Sequence, residues 1–107
     1  MGYYTDFIIK VENEKMSDDI VNAITNISKY EFEWYDDEIS TYSKWYNCND
    51  DMHKLSELFP DKLFRIDGVG EDPDDIWRLY WKNGKVQESK RTVLYEPFDE
   101  NKLEQWN

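Results

Sequence analysis

The dipeptide Asn83-Gly84 is the sequence feature that most restricts the fold of this chain. It stands between two runs rich in β-branched and aromatic residues, 76–82 and 85–95. Asn-Gly in such a setting is a strong signal for a β-hairpin, because a type I′ turn requires positive φ at both central residues. The sequence therefore predicts two antiparallel strands joined at Asn83-Gly84.

Four further segments have the composition or the two-residue periodicity of strands. In residues 3–12, Phe7, Ile9 and Val11 alternate with polar residues, as expected for a strand with one face in the core. The other predicted strands cover residues 31–34, 39–46 and 62–67, with a turn at Asp36-Asp37. Residues 68–75, which combine Gly, Pro and Asp, are predicted to form a loop.

Two segments have the periodicity of amphipathic helices. Ser17 is a favourable N-cap, and apolar residues then recur at helical spacing as far as Lys29. A second helix is predicted to begin with Asn49 or Asp50 as its N-cap and to end at Pro60. In residues 98–107 we expect a short helical turn that docks Trp106 on the domain. The predicted core comprises Phe7, Ile9, Ile20, Ile24, Ile27, Leu55, Leu58 and Phe64.

The predicted order of elements is β-α-β-β-α-β followed by a hairpin. The first six elements match the split βαβ arrangement, so the fold class is α+β: a ferredoxin-like βαββαβ sandwich with an additional C-terminal β-hairpin. Both helices are expected on one face of the sheet. A length of 107 residues fits a single domain, 1–107.

A set of short motifs carries a family resemblance over about residues 44–84. The motifs are Lys44-Trp45, Leu58-Phe59-Pro60, Leu63-Phe64, Gly68 with Gly70, and Trp77, Tyr80 and Asn83-Gly84. In these the chain resembles the YubB-type ferredoxin-like small proteins of phages and mobile elements. The resemblance implies the fold and a mobile-element setting, and it implies no catalytic residues.

The composition combines a formal net charge of −11 with an aromatic content of 17%. Disordered acidic segments are poor in aromatic residues, so the sequence indicates a folded domain with an acidic surface. Residues 1–61 carry a net charge of −9 and residues 62–107 a net charge of −2. Such a field repels nucleic acid and anionic membranes and favours a basic protein partner, although it also serves solubility.

The chain has one cysteine, Cys48, and one histidine, His53. A single cysteine excludes an internal disulfide, and we expect a reducing, cytoplasmic location. No apolar run approaches the roughly 20 residues of a membrane helix, and the first residues lack the features of a signal peptide. Cys48 and His53 could act as nucleophile and base only if the fold brought them together, and the default for each is a structural residue.

No cofactor or metal site is predicted. One cysteine and one histidine cannot supply four zinc ligands, and Glu71, Asp72, Asp74 and Asp75 lack the ligand order of a calcium loop. The Gly68-Val69-Gly70 segment lacks the residues of a phosphate-binding loop. The sequence therefore predicts a protein that is not an enzyme and carries neither metal nor cofactor.

Acidic and aromatic residues interleave in one part of the chain, which we predict to be a partner-binding surface. Carboxylates around tyrosine and tryptophan anchors suit an interface with arginine and lysine side chains. The candidate residues are Glu31, Glu33, Trp34, Asp36, Asp37, Glu38, Tyr42, Asp50 and Asp51. The alternative is that these residues form only a charged outer face above an aromatic core and bind no partner.

These observations lead to one functional hypothesis and two alternatives. The leading hypothesis is a small phage or mobile-element protein that binds and inhibits a basic, nucleic-acid-handling host protein, in the manner of anti-CRISPR or other DNA-mimic anti-defence proteins. The first alternative is an accessory or scaffold domain without inhibitory activity. The second is an RNA-binding ferredoxin-like domain that uses sheet aromatics, against which the net charge counts. The oligomeric state stays open, a homodimer included.

Overall fold

The structure, a computed structural model, describes residues 2–92 and 94–106. Met1, Val93 and Asn107 lie outside the described residues; Val93 belongs to the predicted strand 85–95 and Asn107 to the predicted tail turn. The elements are β1 (Thr5–Val11), α1 (Asp18–Ser28), β2 (Glu33–Tyr35), β3 (Glu38–Ser43), α2 (Cys48–Leu58), β4 (Phe64–Gly70), β5 (Ile76–Lys82) and β6 (Lys85–Glu88). A short 3-10 helix covers Glu100–Lys102.

The six strands form one antiparallel sheet in the order β2-β3-β1-β4-β5-β6. The register sets Ile9 of β1 opposite Ile39 of β3 on one side and opposite Ile66 of β4 on the other. All three side chains are fully buried, because a strand's alternate residues share one face and this register aligns them. The α+β class is thus confirmed, and the arrangement is compatible with a ferredoxin-like fold.

Both helices pack on the face of the sheet that carries Phe7, Ile9 and Val11. Their buried residues join these strand residues in one core cluster, and α1 contacts α2. Six of the eight predicted core residues are buried; Ile27 is half-buried and Leu58 is exposed. The buried side of α2 includes Cys48, Met52 and Leu55, and helical spacing places position 59 next on that side. Leu58 lies one residue earlier and therefore faces away from the core.

The helix boundaries agree with the sequence at α1 and differ from it at α2. Ser17 caps α1 as predicted, since its hydroxyl accepts a hydrogen bond from the Ile20 amide at 3.4 Å. The prediction of Asn49 or Asp50 as the second N-cap was wrong. Helix α2 already begins at Cys48, and its N-cap Asn47 makes no side-chain hydrogen bond.

Two strand boundaries also differ from the predicted ones. The segment Gly68-Val69-Gly70, predicted as loop, is the end of β4, where Gly68 pairs with Phe7 on one side and with Trp77 on the other. Strand β6 ends at Glu88, well before the predicted end at residue 95. These boundaries depend on pairing with neighbouring strands, which local sequence signals do not report.

Beyond β6 the described residues extend away from the domain. The Cα radius of gyration is 17.6 Å, compared with about 13 Å for a packed chain of this length. The predicted turn is present as the 3-10 helix, but the predicted docking of Trp106 was wrong, because its side chain is 94% exposed. No helix of the described residues has the length and apolar character needed to cross a membrane.

Candidate protein-binding surface

The face of the sheet opposite the helices, here called the open face, has no layer of described residues packed on it. Its side chains are those that alternate with the buried positions, for example Asp6, Ile8 and Lys10 of β1. The register places Tyr42 of β3 beside Asp6, and Arg65 of β4 beside Lys10. The open face therefore combines polar, charged and aromatic side chains with the aliphatic residues Ile8, Val69 and Ile76.

The centre of the open face is electrically balanced. Arg65 lies 3.3 Å from both Glu12 and Asp67, and Arg78 approaches Asp67 at 2.6 Å. The hydrogen bond to Asp67 raises the pKa of the Arg78 guanidinium. The two arginines and two carboxylates lie close enough to neutralise one another, so this group offers little net charge to a partner.

The edge formed by β2 and β3 contains a groove of about 550 Å³. We call it the acidic groove; it is lined by Asp6, Glu31, Phe32, Glu33, Ser40, Thr41 and Tyr42. It forms because β2 pairs with β3 only from Glu33 to Tyr35, so residues 31–32 separate from the end of β3. The groove thus combines three carboxylates with an exposed tyrosine.

The carboxylates of the acidic groove differ from those at the centre, because none of them forms an ion pair with a described residue. Among residues 2–92 and 94–106, no lysine or arginine nitrogen lies within 4 Å of the carboxylates of Asp6, Glu31 or Glu33. Glu38 of β3 lies on the same face of the sheet, where it pairs with Lys10 of β1 on one side and with Tyr35 of β2 on the other. Like charges held together without counter-ions create a negative potential that attracts cationic groups.

An aromatic pair forms one wall of this edge. Tyr42 is 66% exposed, and its ring stacks on Tyr4 with centroids 5.1 Å apart and planes 21° apart. The ammonium group of Lys44 lies 5.1 Å from the centroid of the Tyr4 ring, on this same side. Stacking restricts the rotamers of both tyrosines, which reduces the entropy lost when a partner covers them.

The turn between β2 and β3 carries two more of the predicted residues, and a third, Trp34, lies in β2 just before it. Asp36 has a φ of 58°, a left-handed conformation that Asp tolerates better than most residues, and Asp37 is half-buried. Trp34 pairs with the buried Ile39 and therefore projects toward the helix side of the sheet. Its indole donates a hydrogen bond to the Asp36 carbonyl at 3.1 Å.

The last two predicted residues lie apart from the acidic groove, on α2 and the helix side of the sheet. Asp50 is exposed in the first turn of α2. Asp51 is buried, and its carboxylate accepts a hydrogen bond from the Trp45 indole at 2.7 Å. Asp51 is therefore inaccessible to a partner, and neither residue extends the acidic groove.

Sequence reasoning did not include Asp6 and Tyr4 in the surface, although both contribute to this edge. The alternation in β1 was the available signal, since it places Tyr4 and Asp6 on the face opposite Phe7. Their proximity to Tyr42 depends on the pairing of β1 with β3, which the sequence does not specify residue by residue.

The opposite edge of the sheet is basic. Lys82 and Lys85 are exposed and face each other across the Asn83-Gly84 turn. Lys90 and Arg91 follow shortly after β6 and are also exposed. Acidic and basic side chains are thus concentrated at opposite edges of one sheet.

The chain's one cysteine and one histidine, Cys48 and His53, both lie on α2 and outside the acidic groove. Cys48 is buried, and desolvation with the charge of Asp51 raises the pKa of its thiol to about 12, so it stays protonated at neutral pH. His53 lies 3.4 Å from Glu57 and packs edge-on against Trp81. In the part of the chain that the structure describes, no three His, Cys, Asp or Glu side chains form a metal-binding group.

Comparison with protein-family models, with curated proteins and with solved structures gave no match to this chain. A functional assignment therefore depends on the charges, packing and geometry of its own residues.

Proposed function

We propose that this chain is a small acidic phage or mobile-element protein that binds a basic, nucleic-acid-handling host protein in the cytoplasm and inhibits it. The activity would be of the anti-CRISPR or other anti-defence type, in which an acidic surface takes the place of DNA. The observation that carries this proposal is the acidic groove, whose three carboxylates lack cationic neighbours among the described residues.

Holding like charges together in the acidic groove costs free energy. Neighbouring carboxylates repel one another, and a partner that supplies arginine or lysine removes this repulsion. The stacked tyrosines Tyr4 and Tyr42 add aromatic contact area beside the charges. Aromatic anchors surrounded by charged groups are typical of the energetically important centres of interfaces.

The inhibition would follow from competition for one surface. Proteins that handle nucleic acid neutralise phosphates with lysine and arginine, and most of their nonspecific affinity comes from this contact. An anionic groove that covers those side chains excludes the nucleic acid from them. Binding would then weaken as salt rises, because the screening length is about 8 Å at physiological ionic strength.

The fold is part of the same proposal. We regard the elements from β1 to β4 as a ferredoxin-like βαββαβ unit, and β5 with β6 as a hairpin added at its β4 edge. The resemblance of residues 44–84 to YubB-type proteins favours the phage or mobile-element setting.

The test is capture of partners from host lysate by the wild-type chain and by the double variant Glu31→Gln, Glu33→Gln. The double variant Asp50→Asn, Asp61→Asn is the matched control, because it removes two exposed charges outside the acidic groove. We expect the wild type and the control to retain a basic partner that the groove variant loses. Excess double-stranded DNA should release that partner.

Two outcomes would contradict the proposal. If all three chains capture the same partners, the groove carboxylates serve solubility alone. If the partner holds this chain and DNA at the same time, the chain is an accessory or scaffold protein and not an inhibitor.

A further inference from the structure

A second cavity, of about 260 Å³, lies between β1, the start of α2 and the loop that joins β4 to β5. We call it the aromatic cavity; it is lined by Tyr3, Thr5, Phe7, Trp45, Tyr46, Cys48, Asn49, Asp75 and Trp77. Its volume is below the roughly 300–1,000 Å³ of sites for drug-sized molecules. The aromatic cavity therefore fits a single small group and not a large ligand.

The buried wall of the aromatic cavity is held rigidly. Phe7 and Trp45 are both buried and meet edge to face, with centroids 5.2 Å apart. Asp51 fixes the Trp45 ring through the indole hydrogen bond. Phe7 also contacts Trp77, with centroids 6.0 Å apart. Ring packing and one hydrogen bond thus fix the side chains that form this wall.

The rim is formed by side chains that are hydrogen-bonded to one another. The Tyr3 hydroxyl donates to the Asp75 carboxylate at 2.7 Å and accepts from the Asp72 amide at 3.0 Å. Tyr46 is 70% exposed, and its hydroxyl accepts a hydrogen bond from the Tyr3 amide at 2.9 Å. The entrance is thereby organised with one carboxylate beside two tyrosines.

Two glycines make this arrangement sterically feasible. A Cβ atom at Gly68 would overlap the indole of Trp77, and one at Gly70 would overlap the Asp75 carboxylate and the Tyr3 hydroxyl. Both positions lie at the end of β4, where any side chain would displace the wall or the rim. The backbone of β4 thus provides the space in which the tryptophan and the carboxylate sit.

The charge around the aromatic cavity is negative. None of its nine lining residues is a lysine or arginine, and Glu71, Asp72, Asp74 and Asp75 all lie in the adjoining loop. Aromatic faces attract cations through the ring quadrupole, and aromatic cages of this composition recognise quaternary and methylated ammonium groups. A neutral group of the same shape would gain the apolar contacts without the electrostatic attraction.

From this geometry we infer that the aromatic cavity binds an alkylated ammonium group, of the kind carried by choline or by a methylated lysine. Asp75 supplies the counter-charge, and Tyr3, Tyr46 and Trp77 supply the ring contacts. The inference is independent of the acidic groove, because the two sites share no residues.

The experiment is titration with choline and with dimethylbutanol, its neutral carbon isostere, followed through the tryptophan indole N–H resonances. We expect choline to bind at least about tenfold more tightly than the isostere. A peptide containing trimethyllysine and the same peptide with unmodified lysine form the second arm. Tighter binding of the trimethyllysine peptide than of choline would assign the site to a protein ligand, and the reverse to a small molecule.

Matched variants separate the charge from the rings. Asp75→Asn keeps an acceptor for Tyr3 but removes the charge, and it should weaken choline binding about fivefold. Asp74→Asn removes an equal charge from the same loop outside the cavity, and it should weaken choline binding less. Tyr46→Leu should weaken binding more than Tyr46→Phe, because Phe retains the ring and both variants lose the hydroxyl that accepts from the Tyr3 amide. Equal affinity for choline and the isostere, or equal effects within each pair of variants, would overturn the inference.

Discussion

The carboxylate of Asp51 accepts a hydrogen bond from the indole nitrogen of Trp45 at 2.7 Å, and both side chains are buried. Trp45 packs against Phe7 and Phe32, with centroids 5.2 Å and 5.6 Å away. An acidic residue in the first turn of α2 is thus buried with the core and orients one of its two buried tryptophans. Asp50, its neighbour, is exposed.

Replacing Asp51 by Ala should destabilise the domain more than the same change at Asp50. Asp51→Ala leaves a buried indole N–H without an acceptor, which costs about 1–3 kcal/mol. Asp50→Ala removes a favourable charge at the helix N-terminus, worth about 0.3–1 kcal/mol. Urea unfolding of the two variants measures the difference, and equal losses would show that the hydrogen bond contributes nothing.

Because the Cys48 thiol is buried, the free energy of unfolding should depend on pH in the alkaline range. Burial raises its pKa from the ordinary value of 9.0 to about 12, so between these values the unfolded thiol loses its proton while the folded one keeps it. The folded state then binds more protons, and its stability falls as the pH rises through this window. Other groups also titrate in this pH range, so the Cys48→Ala variant, which lacks only the thiol, serves as the reference for the pH dependence.

The free-energy difference between wild type and Cys48→Ala should accordingly shrink as the pH rises above about 9. Thiol reagents should also modify native Cys48 far more slowly than the urea-unfolded chain, because the thiolate is the reactive form. Equal rates in the two states would contradict the burial of this thiol.

The turn at Asn83-Gly84 should resist a β-branched residue. Both residues have positive φ, 46° and 76°, as a type I′ turn requires, and the Gly84 amide donates to the buried Ser56 hydroxyl at 2.9 Å. Gly84→Val should cost about 1–2 kcal/mol, the scale of a strained backbone position. Lys85→Val, at the next and exposed position, is the control, and an equal urea midpoint for both would refute the assigned strain.

The segment after β6 should be dispensable for folding. Its large apolar side chains Leu94, Tyr95, Phe98 and Trp106 are all exposed. A chain that ends at Lys90 should retain its free energy of unfolding to within about 0.5 kcal/mol, as expected for surface changes. Substituting Ser for Leu94 and Tyr95 tests the same point at full length. A loss well above that value would show that the segment packs on the domain.

Features fixed by neighbouring residues could be predicted from the sequence. The Ser17 cap depends on the amide of Ile20, three residues away, and the positive φ values at Asn83-Gly84 depend on the dipeptide itself. The alternation in β1 also identified the buried residues Phe7, Ile9 and Val11 correctly. Each of these signals lies within one turn or one strand.

Features fixed by distant residues could not be predicted in this way. Gly68 and Gly70 have the composition of a loop, but they form strand because they pair with β1. Glycine is needed there because Trp77 and Asp75 occupy the space that side chains would fill. Asp51 has the composition of a surface residue, and its burial depends on the position of Trp45. For the candidate surface, the local clustering of Glu31, Glu33 and Tyr42 was visible, whereas the contribution of Asp6 required the strand order.

The six-stranded width of the sheet has a consequence for its two charged edges. Strands are spaced about 4.8 Å apart, so roughly 24 Å separates β2 from β6. This is about three screening lengths at physiological salt, where the Debye length is about 8 Å. A molecule approaching Glu31 and Glu33 therefore experiences almost nothing of Lys82 and Lys85. At physiological salt, each charged edge therefore acts on an approaching molecule independently of the other. In dilute salt, where the screening length is about 30 Å, the two edges together form one dipole that orients the domain during encounter.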